Sequence, residues 1–451
     1  MRDIVLVTVD SLRADHVGWH GYDRNTTPNL DERAAGAETF TSAFSHACST
    51  RPSFPSIMTS SYALEYGGFE RLSPKRTTIA ELLNEAGYET AGFHSNLYLS
   101  ADFGYSRGFD RFFDSKSDPG ALAKLRKEVK THLDSDGALY GLLQQAFNAT
   151  EKQVGIELGS AYVDAERITE RALEWVRSKD NGPRFLWVHY MDVHHPYVPP
   201  EKYQERFRDH PVSDRDAVQL RRKMLESPDE ITDEELGTLI DLYDAEIAYV
   251  DAEVDRLVTT LCEEWGDDPV FAFTSDHGEE FLDHDGFSHS ATFYDEVLHV
   301  PLLVDDREPG SIHDDLVGLI DLSPTLARYG GAEPPENFYG TNLNDMGTND
   351  WTRSEVISEW SDPESGDRRF SVRTSGWKYI REEDETERLY DLRADPVERK
   401  NLVDDSPEEL EELRGRLQDH RQMLDETADD LGEVTMDEGV KQRLRDLGYQ
   451  E

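Results

Sequence analysis

Three short runs of apolar residues, far apart in the chain, constrain the fold more than any other feature of the sequence. They lie at residues 4–9, 185–190 and 270–274, and few polar side chains interrupt them. A strand buried on both faces of a parallel sheet has this composition, whereas a half-exposed strand alternates polar and apolar residues. Further strands are predicted at residues 89–93 and 299–304. The chain is therefore predicted to form an α/β fold, in which a large, mostly parallel sheet is flanked by helices.

Between these runs, apolar side chains recur at the spacing of an α-helix, which predicts helices on the faces of the sheet. The predicted helices are residues 77–86, 165–177, 233–262 and 321–329. The segments 115–160 and 203–230 are more polar, and we interpret both as insertions at the surface.

After about residue 350 the pattern changes to short alternating runs separated by turn residues, followed by an amphipathic segment at residues 407–425. This predicts a small antiparallel sheet with one helix. We therefore divide the chain into a catalytic domain of residues 1–350 and a C-terminal α+β subdomain of residues 351–451.

The charge of the chain is unusual, because 94 Asp and Glu residues stand against 47 Lys and Arg residues, for a net charge of -47. The excess of acid is spread along the whole chain, which is typical of a surface that stays solvated at high salt. We therefore expect a halophilic source, namely a halophilic archaeon. The same charge argues against nucleic-acid binding, which requires a basic face.

The sequence predicts a reducing compartment and no membrane span. The chain has two cysteines, Cys48 and Cys262, which is too few for a disulfide framework. No run of 18 apolar residues occurs, and the N-terminal run is too short for a signal peptide. We expect a cytoplasmic protein.

Polar side chains follow each of the three central runs, at the point where the predicted strand ends. Asp10 follows the first, Asp192 and His194 follow the second, and Asp276 and His277 follow the third. The carboxyl ends of parallel strands meet at one edge of a sheet, where α/β proteins hold their ligands. Carboxylates combined with an imidazole are ligands for a divalent metal ion. The sequence therefore predicts a metal site at this edge.

Residues 48–60 have the pattern of a loop that turns into a helix, because Pro52 suits the first helical turn. A side chain at the start of such a helix faces unpaired N–H groups and the positive end of the helix dipole. Such a position favours an alkoxide or a bound anion. The hydroxyl and thiol groups available at this turn are those of Thr50, Ser49 and Cys48.

A series of short motifs, in order and at regular spacing, connects these features. They lie at residues 7–13, 27–30, 57–60, 192–197, 274–279, 294–301, 321–325, 377–379, 389–392, 395–396 and 401–402. On these motifs the chain resembles the sulfatase family of the alkaline-phosphatase superfamily, nearly from end to end.

The departures from the family pattern concern the nucleophile and the metal ligands. Sulfatases carry a Cys-x-Pro-x-Arg or Ser-x-Pro-x-Arg motif, whose first residue is oxidised to formylglycine. Aligned on Pro52, that first position is Thr50 here, and Phe54 takes the place of the arginine. Formylglycine is therefore not expected. Ser11 stands where the family has a second aspartate, and His277 where it has an asparagine.

With these residues the chain is similar to the branch of the superfamily that uses a threonine nucleophile, which includes phosphoglycerol transferases and nucleotide pyrophosphatase/phosphodiesterases. The resemblance implies one divalent ion held by Asp10, Thr50, Asp276 and His277. An imidazole ligand suits Mn²⁺ or Zn²⁺ better than Mg²⁺ or Ca²⁺, so Mn²⁺ is the expected ion.

The resemblance also implies roles for residues around the metal. We expect a covalent intermediate on Thr50, with His289 and His194 binding the ester oxygens or protonating the leaving group. Arg51 and Arg13 are the nearest candidate cations for an anionic ester, which could be a phosphate or sulfate ester of a sugar, lipid or glycan. Phosphate chemistry is the preferred hypothesis.

Three alternatives stay open. The chain could be a sulfuric ester hydrolase that works without formylglycine. It could be a catalytically silent relative retained for binding. Asp192, with His194 or His195 and His289, could also hold a second ion, as in the two-metal members of the superfamily.

Overall fold

The computed structural model describes residues 1–66, 71–115, 162–178, 182–266, 269–289, 291–362, 365–382 and 386–427. Its strands, β1 to β16, are Ile4–Val9, Glu38–Phe40, Ala43–Phe44, Glu89–Phe93, Arg111–Phe113, Arg184–Tyr190, Val270–Ser275, Glu280–Phe281, Phe287–Ser288, Leu302–Asp305, Ile312–His313, Val317–Gly318, Val356–Ser361, Arg368–Arg373, Trp377–Arg381 and Glu387–Asp391. Its α-helices, α1 to α10, are Pro28–Ala34, Thr50–Thr59, Ile79–Glu85, Ala165–Val176, Glu201–Gln204, Asp214–Glu226, Asp233–Trp265, Asp295–Leu298, Leu322–Tyr329 and Pro407–Thr427.

The centre of the fold is an eight-stranded sheet with the strand order β11-β2-β10-β7-β1-β6-β4-β5. The three apolar runs form the neighbouring strands β7, β1 and β6, which pair in parallel. Strand β10 pairs antiparallel with both of its neighbours, so the sheet is mixed but mostly parallel. The predicted α/β fold is therefore confirmed.

Strand β1 is buried on both faces, as its unbroken apolar sequence predicts. Val5, Val7 and Val9 pack into a core on one face, which includes residues of α4 and α7. Ile4 and Leu6 pack into a second core, which includes residues of α2, α3 and α9. Because successive side chains of a strand point to opposite faces, only a strand covered on both sides needs apolar residues at every position.

The long helix α7 covers one face of the sheet, and its ends have clear sequence signals. Thr232 and Glu235 form a capping box at its start, and Gly266 ends it with a φ of 73°. A left-handed backbone favours glycine, because other residues pay a steric penalty there.

The C-terminal part of the described chain is a four-stranded antiparallel sheet, β13-β14-β15-β16, against which α10 packs. This confirms the predicted small sheet with a helix. The division of the chain at residue 350 stays a prediction.

The segment 203–230 is more than a polar surface excursion. Its helix α6 buries one face, including Val218, Arg221 and Met224, because these side chains recur at helical spacing within a charged sequence. The other predicted insertion, residues 115–160, lies almost entirely outside the described residues.

Among the helices that the structure describes, none combines the length and the apolar composition needed to cross a bilayer.

Candidate functional site

The carboxyl ends of the central strands bring distant polar side chains together. Val9 lies opposite Ser275 in the paired strands β1 and β7, so Asp10 and Asp276 emerge at the same edge of the sheet. His277 follows, with Nε2 3.5 Å from Oδ1 of Asp10 and 3.6 Å from Oδ2 of Asp276. All three side chains are fully buried. The parallel pairing of β1 and β7 therefore places these three side chains close together.

Thr50 is the first residue of α2 and its hydroxyl faces the same group. Its Oγ1 lies 3.3 Å from Oδ2 of Asp10 and 3.4 Å from Nε2 of His277. The helix is held to the strand end by Ser53, whose hydroxyl donates to the carbonyl oxygen of Asp276 at 2.7 Å. The structure thus brings together the four residues that the resemblance implied as metal ligands.

His189 joins them, although the sequence analysis did not single it out. It lies on β6, fully buried, with Nε2 3.5 Å from Oδ2 of Asp10. Ligand atoms of Asp10, His189 and Asp276 all lie within 4.8 Å of one another. The available signal was a histidine inside an otherwise apolar buried strand. We refer to Asp10, Thr50, His189, Asp276 and His277 as the acidic cluster.

The protonation of His277 follows from its hydrogen bond. Its Nδ1 lies 2.8 Å from the carbonyl oxygen of Gly278, which can only accept, so Nδ1 carries the proton. Nε2 therefore presents a lone pair to the two carboxylates. Burial and the nearby His289 lower the pKa of His277 to about 3, so the ring is neutral.

The two carboxylates of the acidic cluster differ in their surroundings. Burial acts to raise the pKa of Asp10, but the nearby histidines His189, His194 and His277 hold it below its usual value. Burial and the charge of Asp10 raise the pKa of Asp276. Oδ2 of Asp276 is buried and has no hydrogen-bond partner.

A divalent cation fits this arrangement. A buried, unpartnered carboxylate oxygen and a histidine lone pair directed at carboxylates are unfavourable by themselves. A cation between them would satisfy both. Carboxylate, hydroxyl and imidazole donors together suit Mn²⁺ or Zn²⁺.

A second group, His194, His195 and His289, lies beside the acidic cluster, and we call it the histidine cluster. All three are buried, with ligand atoms within 4.8 Å of one another. The ring centroids of His289 and His277 are 4.5 Å apart, so the two clusters adjoin. Residues of the loop after β6 and the segment after β9 form this cluster.

The histidines of this cluster have different pKa values. Burial lowers the pKa of His194 to about 4. Burial acts in the same direction on His289, but the carboxylate of Glu279 raises its pKa above the usual value. Nδ1 of His289 lies 3.3 Å from Oε1 of Glu279, whose other oxygen accepts from Tyr197 at 2.9 Å. A carboxylate-paired imidazole of this kind can hold a proton beside the acidic cluster.

The two arginines predicted to bind substrate are engaged elsewhere. Arg13 donates to Asp15 and Asp283, each at 2.8 Å. The guanidinium of Arg51 lies over the ring of Tyr98, with 4.9 Å between its carbon and the ring centroid. Their predicted roles in substrate binding stay predictions.

Asp192 does not join the histidine cluster. Its Oδ1 accepts from the backbone N–H of Ala165 at 2.9 Å, at the start of α4. Burial raises its pKa to about 8. The groups of converging ligand atoms in the described chain do not include it. The geometry thus gives Asp192 a helix-capping contact rather than a ligand position beside His194.

Cys48, an alternative nucleophile, has the surroundings of a structural residue. It is fully buried in an apolar group with Phe44 and Phe293. Burial raises the pKa of its thiol to about 12. A thiol with so high a pKa supplies little thiolate, which is the nucleophilic form. Ser49, the other alternative, is the residue before α2 and has an extended backbone.

Comparison with protein families gives two matches. The family described as "Sulfatase" matches residues 2–332. The family described as "N-sulphoglucosamine sulphohydrolase, C-terminal" matches residues 283–426.

Similar proteins include sulfatases and a phosphonate monoester hydrolase. An uncharacterized sulfatase, YidJ of Escherichia coli, is 25% identical over 430 residues, which cover 89% of this chain and 83% of that protein. An arylsulfatase of Clostridium perfringens is 23% identical, covering 89% of this chain and 90% of that protein. The phosphonate monoester hydrolase of Agrobacterium radiobacter superposes with a TM-score of 0.72 at 20% identity, covering 94% of this chain and 96% of that one.

Proposed function

Because the chain belongs to the sulfatase family, we propose that it is a metal-dependent hydrolase or transferase that cleaves phosphate or sulfate esters through a covalent intermediate on Thr50. Phosphate esters, and phosphodiesters among them, are the preferred substrates. Relatives named as arylsulfatases and as phosphonate monoester hydrolases support this range of anionic esters.

One observation supports this proposal above the others. The hydroxyl of Thr50 stands at the start of α2, 3.3 Å from Asp10 and 3.4 Å from His277. A threonine hydroxyl is a weak nucleophile at its ordinary pKa, so its position beside a group that fits a cation explains how it could be activated.

We propose that Asp10, His189, Asp276, His277 and Thr50 hold one divalent ion, with Mn²⁺ or Zn²⁺ preferred. When bound, such an ion lowers the pKa of a coordinated hydroxyl and offsets charge on an ester oxygen.

The protein's own groups carry the remaining steps. The hydroxyl of Thr50 passes its proton to Oδ2 of Asp10, to which it donates at 3.3 Å, and attacks phosphorus. The bond to the leaving oxygen breaks, and Thr50 becomes a phosphate ester. The backbone N–H groups at the start of α2 face the developing negative charge. His289, held by Glu279, donates a proton to the leaving oxygen, and His194 orients the ester. Water or an acceptor alcohol then gives its proton to His289 and attacks phosphorus. The bond from phosphorus to Thr50 breaks, and the Thr50 oxygen takes back the proton held by Asp10.

The identity of residue 50 favours phosphate over sulfate. Aligned on the family motif, Thr50 stands at the position that sulfatases oxidise to formylglycine, and threonine cannot form that aldehyde. An ester formed on its single hydroxyl must therefore be cleaved by direct attack on phosphorus or sulfur. Two alternatives to a phosphate-ester enzyme stay open. One is a sulfatase that works without formylglycine, and the other is a silent binding relative.

The test uses Thr50→Ala, with Thr59→Ala at the other end of the same helix as the control. The proteins are assayed in high salt with nitrophenyl sulfate, a nitrophenyl phosphate monoester and a phosphodiester, and their metal content is measured. We expect Thr50→Ala to lower turnover of the diester by at least about a thousandfold, because the nucleophile is lost. Thr59→Ala should retain turnover, and all three proteins should stay folded.

A second measurement identifies the intermediate directly. Wild-type protein is quenched in acid during turnover, and the peptide that contains Thr50 is analysed by mass spectrometry. A phosphorylated Thr50 is expected. Full activity of Thr50→Ala would remove Thr50 as the nucleophile. Turnover of sulfate alone would favour the sulfatase alternative, and metal binding without turnover of any ester would favour the silent relative.

A further inference from the structure

The histidine cluster has the composition of a metal site, because His194, His195 and His289 place ligand atoms within 4.8 Å of one another. An imidazole binds a metal through a lone pair, so a nitrogen that carries a proton is not a ligand. The hydrogen bonds of each ring show which nitrogen carries the proton.

Two of the three histidines can direct a lone pair into the cluster. Nδ1 of His194 lies 2.6 Å from the carbonyl oxygen of His195, so this nitrogen donates and Nε2 holds the lone pair. Nδ1 of His289 lies 3.3 Å from Oε1 of Glu279, which in the neutral ring likewise leaves the lone pair on Nε2.

His195 differs because an arginine faces it. Nε of Arg221 donates to Nδ1 of His195 at 3.3 Å. A guanidinium only donates hydrogen bonds and stays charged, so Nδ1 of His195 must accept. Nε2 therefore carries the proton, and it lies 3.2 Å from the hydroxyl oxygen of Ser288. Both nitrogens of His195 are occupied, and the number of ligands falls from three to two.

Two ligands are fewer than the three protein ligands of a catalytic zinc site. The positive charge of Arg221 also disfavours a metal ion in the histidine cluster. Arg221 is 8% exposed and lies on the buried face of α6, so its charge is poorly screened by water. A dication in the cluster would be repelled by it, whereas an anion would be attracted.

We propose that Arg221 keeps metal ions out of the histidine cluster and reserves this cluster for the anionic group of the substrate. The first half of this inference depends only on the contacts of His195. The second half rests on the proposed function. Arg221 is a positioning residue, which acts through His195.

The first experiment measures how many ions the protein binds. Wild type, Arg221→Met and Arg222→Met are dialysed against Mn²⁺ or Zn²⁺, and bound metal is counted per chain. Arg222 is the matched control, because it lies next to Arg221 but is exposed and pairs with Glu226 at 2.8 Å. We expect one ion for wild type and Arg222→Met, and two for Arg221→Met. Adding Asp10→Asn to Arg221→Met should remove one of the two.

The second experiment uses inorganic phosphate as the probe of the anion site. Its affinity is measured by calorimetry on proteins loaded with one equivalent of Mn²⁺ or Zn²⁺ per chain, so that no second dication attracts the phosphate. Arg221→Met should bind phosphate about tenfold more weakly than wild type, and Arg221→Lys, which keeps the charge, should lose less. Neither the metal count nor phosphate binding requires turnover, so a failure of the proposed reaction leaves both results interpretable.

Two results would overturn the inference. One is a wild-type protein that binds two ions and loses one on His195→Phe. The other is Arg221→Met with one ion and wild-type affinity for phosphate. If Arg221→Met does not fold, nitrogen NMR of wild-type protein labelled at histidine replaces it. His195 must then show a proton on Nε2, and a proton on Nδ1 contradicts the proposal.

Discussion

The acidic cluster and the histidine cluster adjoin, yet they are suited to opposite charges. In the acidic cluster, Nε2 of His277 faces the carboxylates of Asp10 and Asp276, which leaves a place for a cation. In the histidine cluster, Arg221 donates to His195, which leaves a place for an anion. Residue type alone does not distinguish the two clusters, because both contain buried histidines. They are distinguished by the group that faces the second ring nitrogen of a histidine, which is a carboxylate for His277 and an arginine for His195.

The two clusters also differ in how the fold builds them. The acidic cluster stands on the ends of β1, β6 and β7 and the start of α2, so backbone pairing sets its spacing. The histidine cluster stands on loops and depends on a side chain from α6. Ligands on rigid elements are held more closely than ligands on loops. We therefore expect substitutions in the acidic cluster to have the larger effects.

The largest effect is expected for Asp10→Asn. The loss of one carboxylate from the acidic cluster should remove the bound ion and lower turnover by at least about a thousandfold. Metal content and ester hydrolysis measure this. Asp285→Asn is the control, because Asp285 is exposed and has a φ of 67°, which asparagine also tolerates. An Asp10→Asn protein that keeps its ion would contradict the assignment of the acidic cluster.

A smaller effect is expected for His289→Gln. If His289 protonates the leaving oxygen, its loss should lower turnover by about a hundredfold or more for an alkyl ester. A nitrophenyl ester should suffer less, because nitrophenolate leaves without a proton. Metal content should not change. His210→Gln, at an exposed position, is the control. Equal losses for both esters would assign His289 to binding rather than to proton transfer.

The smallest effect is expected at Cys48. Because burial raises the pKa of its thiol to about 12, iodoacetamide at pH 8 should leave Cys48 unmodified in the folded protein. Peptide mapping measures the labelling, and the partly exposed Cys262 serves as the comparison within the same chain. Rapid labelling of Cys48 with loss of activity would return it to the list of candidate nucleophiles.

The sequence was sufficient for most of the fold. The unbroken apolar runs predicted the buried central strands, and helical spacing predicted α4, α7 and α9 to within a few residues. These signals are local, because burial on one or both faces decides the residue type at each position. The sequence did not predict α6 as a helix that packs against the rest of the fold, because its charged residues outnumber its apolar ones.

The sequence by itself also predicted part of the acidic cluster, since Asp10, Asp276 and His277 follow strands whose carboxyl ends meet at one edge of a parallel sheet. Only the tertiary structure decided what the remaining groups face. His189 turns toward Asp10, Asp192 caps a helix, and Arg13 pairs with Asp15 and Asp283. Arg221 meets His195 across 26 residues of chain. Such contacts depend on side-chain directions at the meeting of separate elements, and no local pattern of residues encodes them.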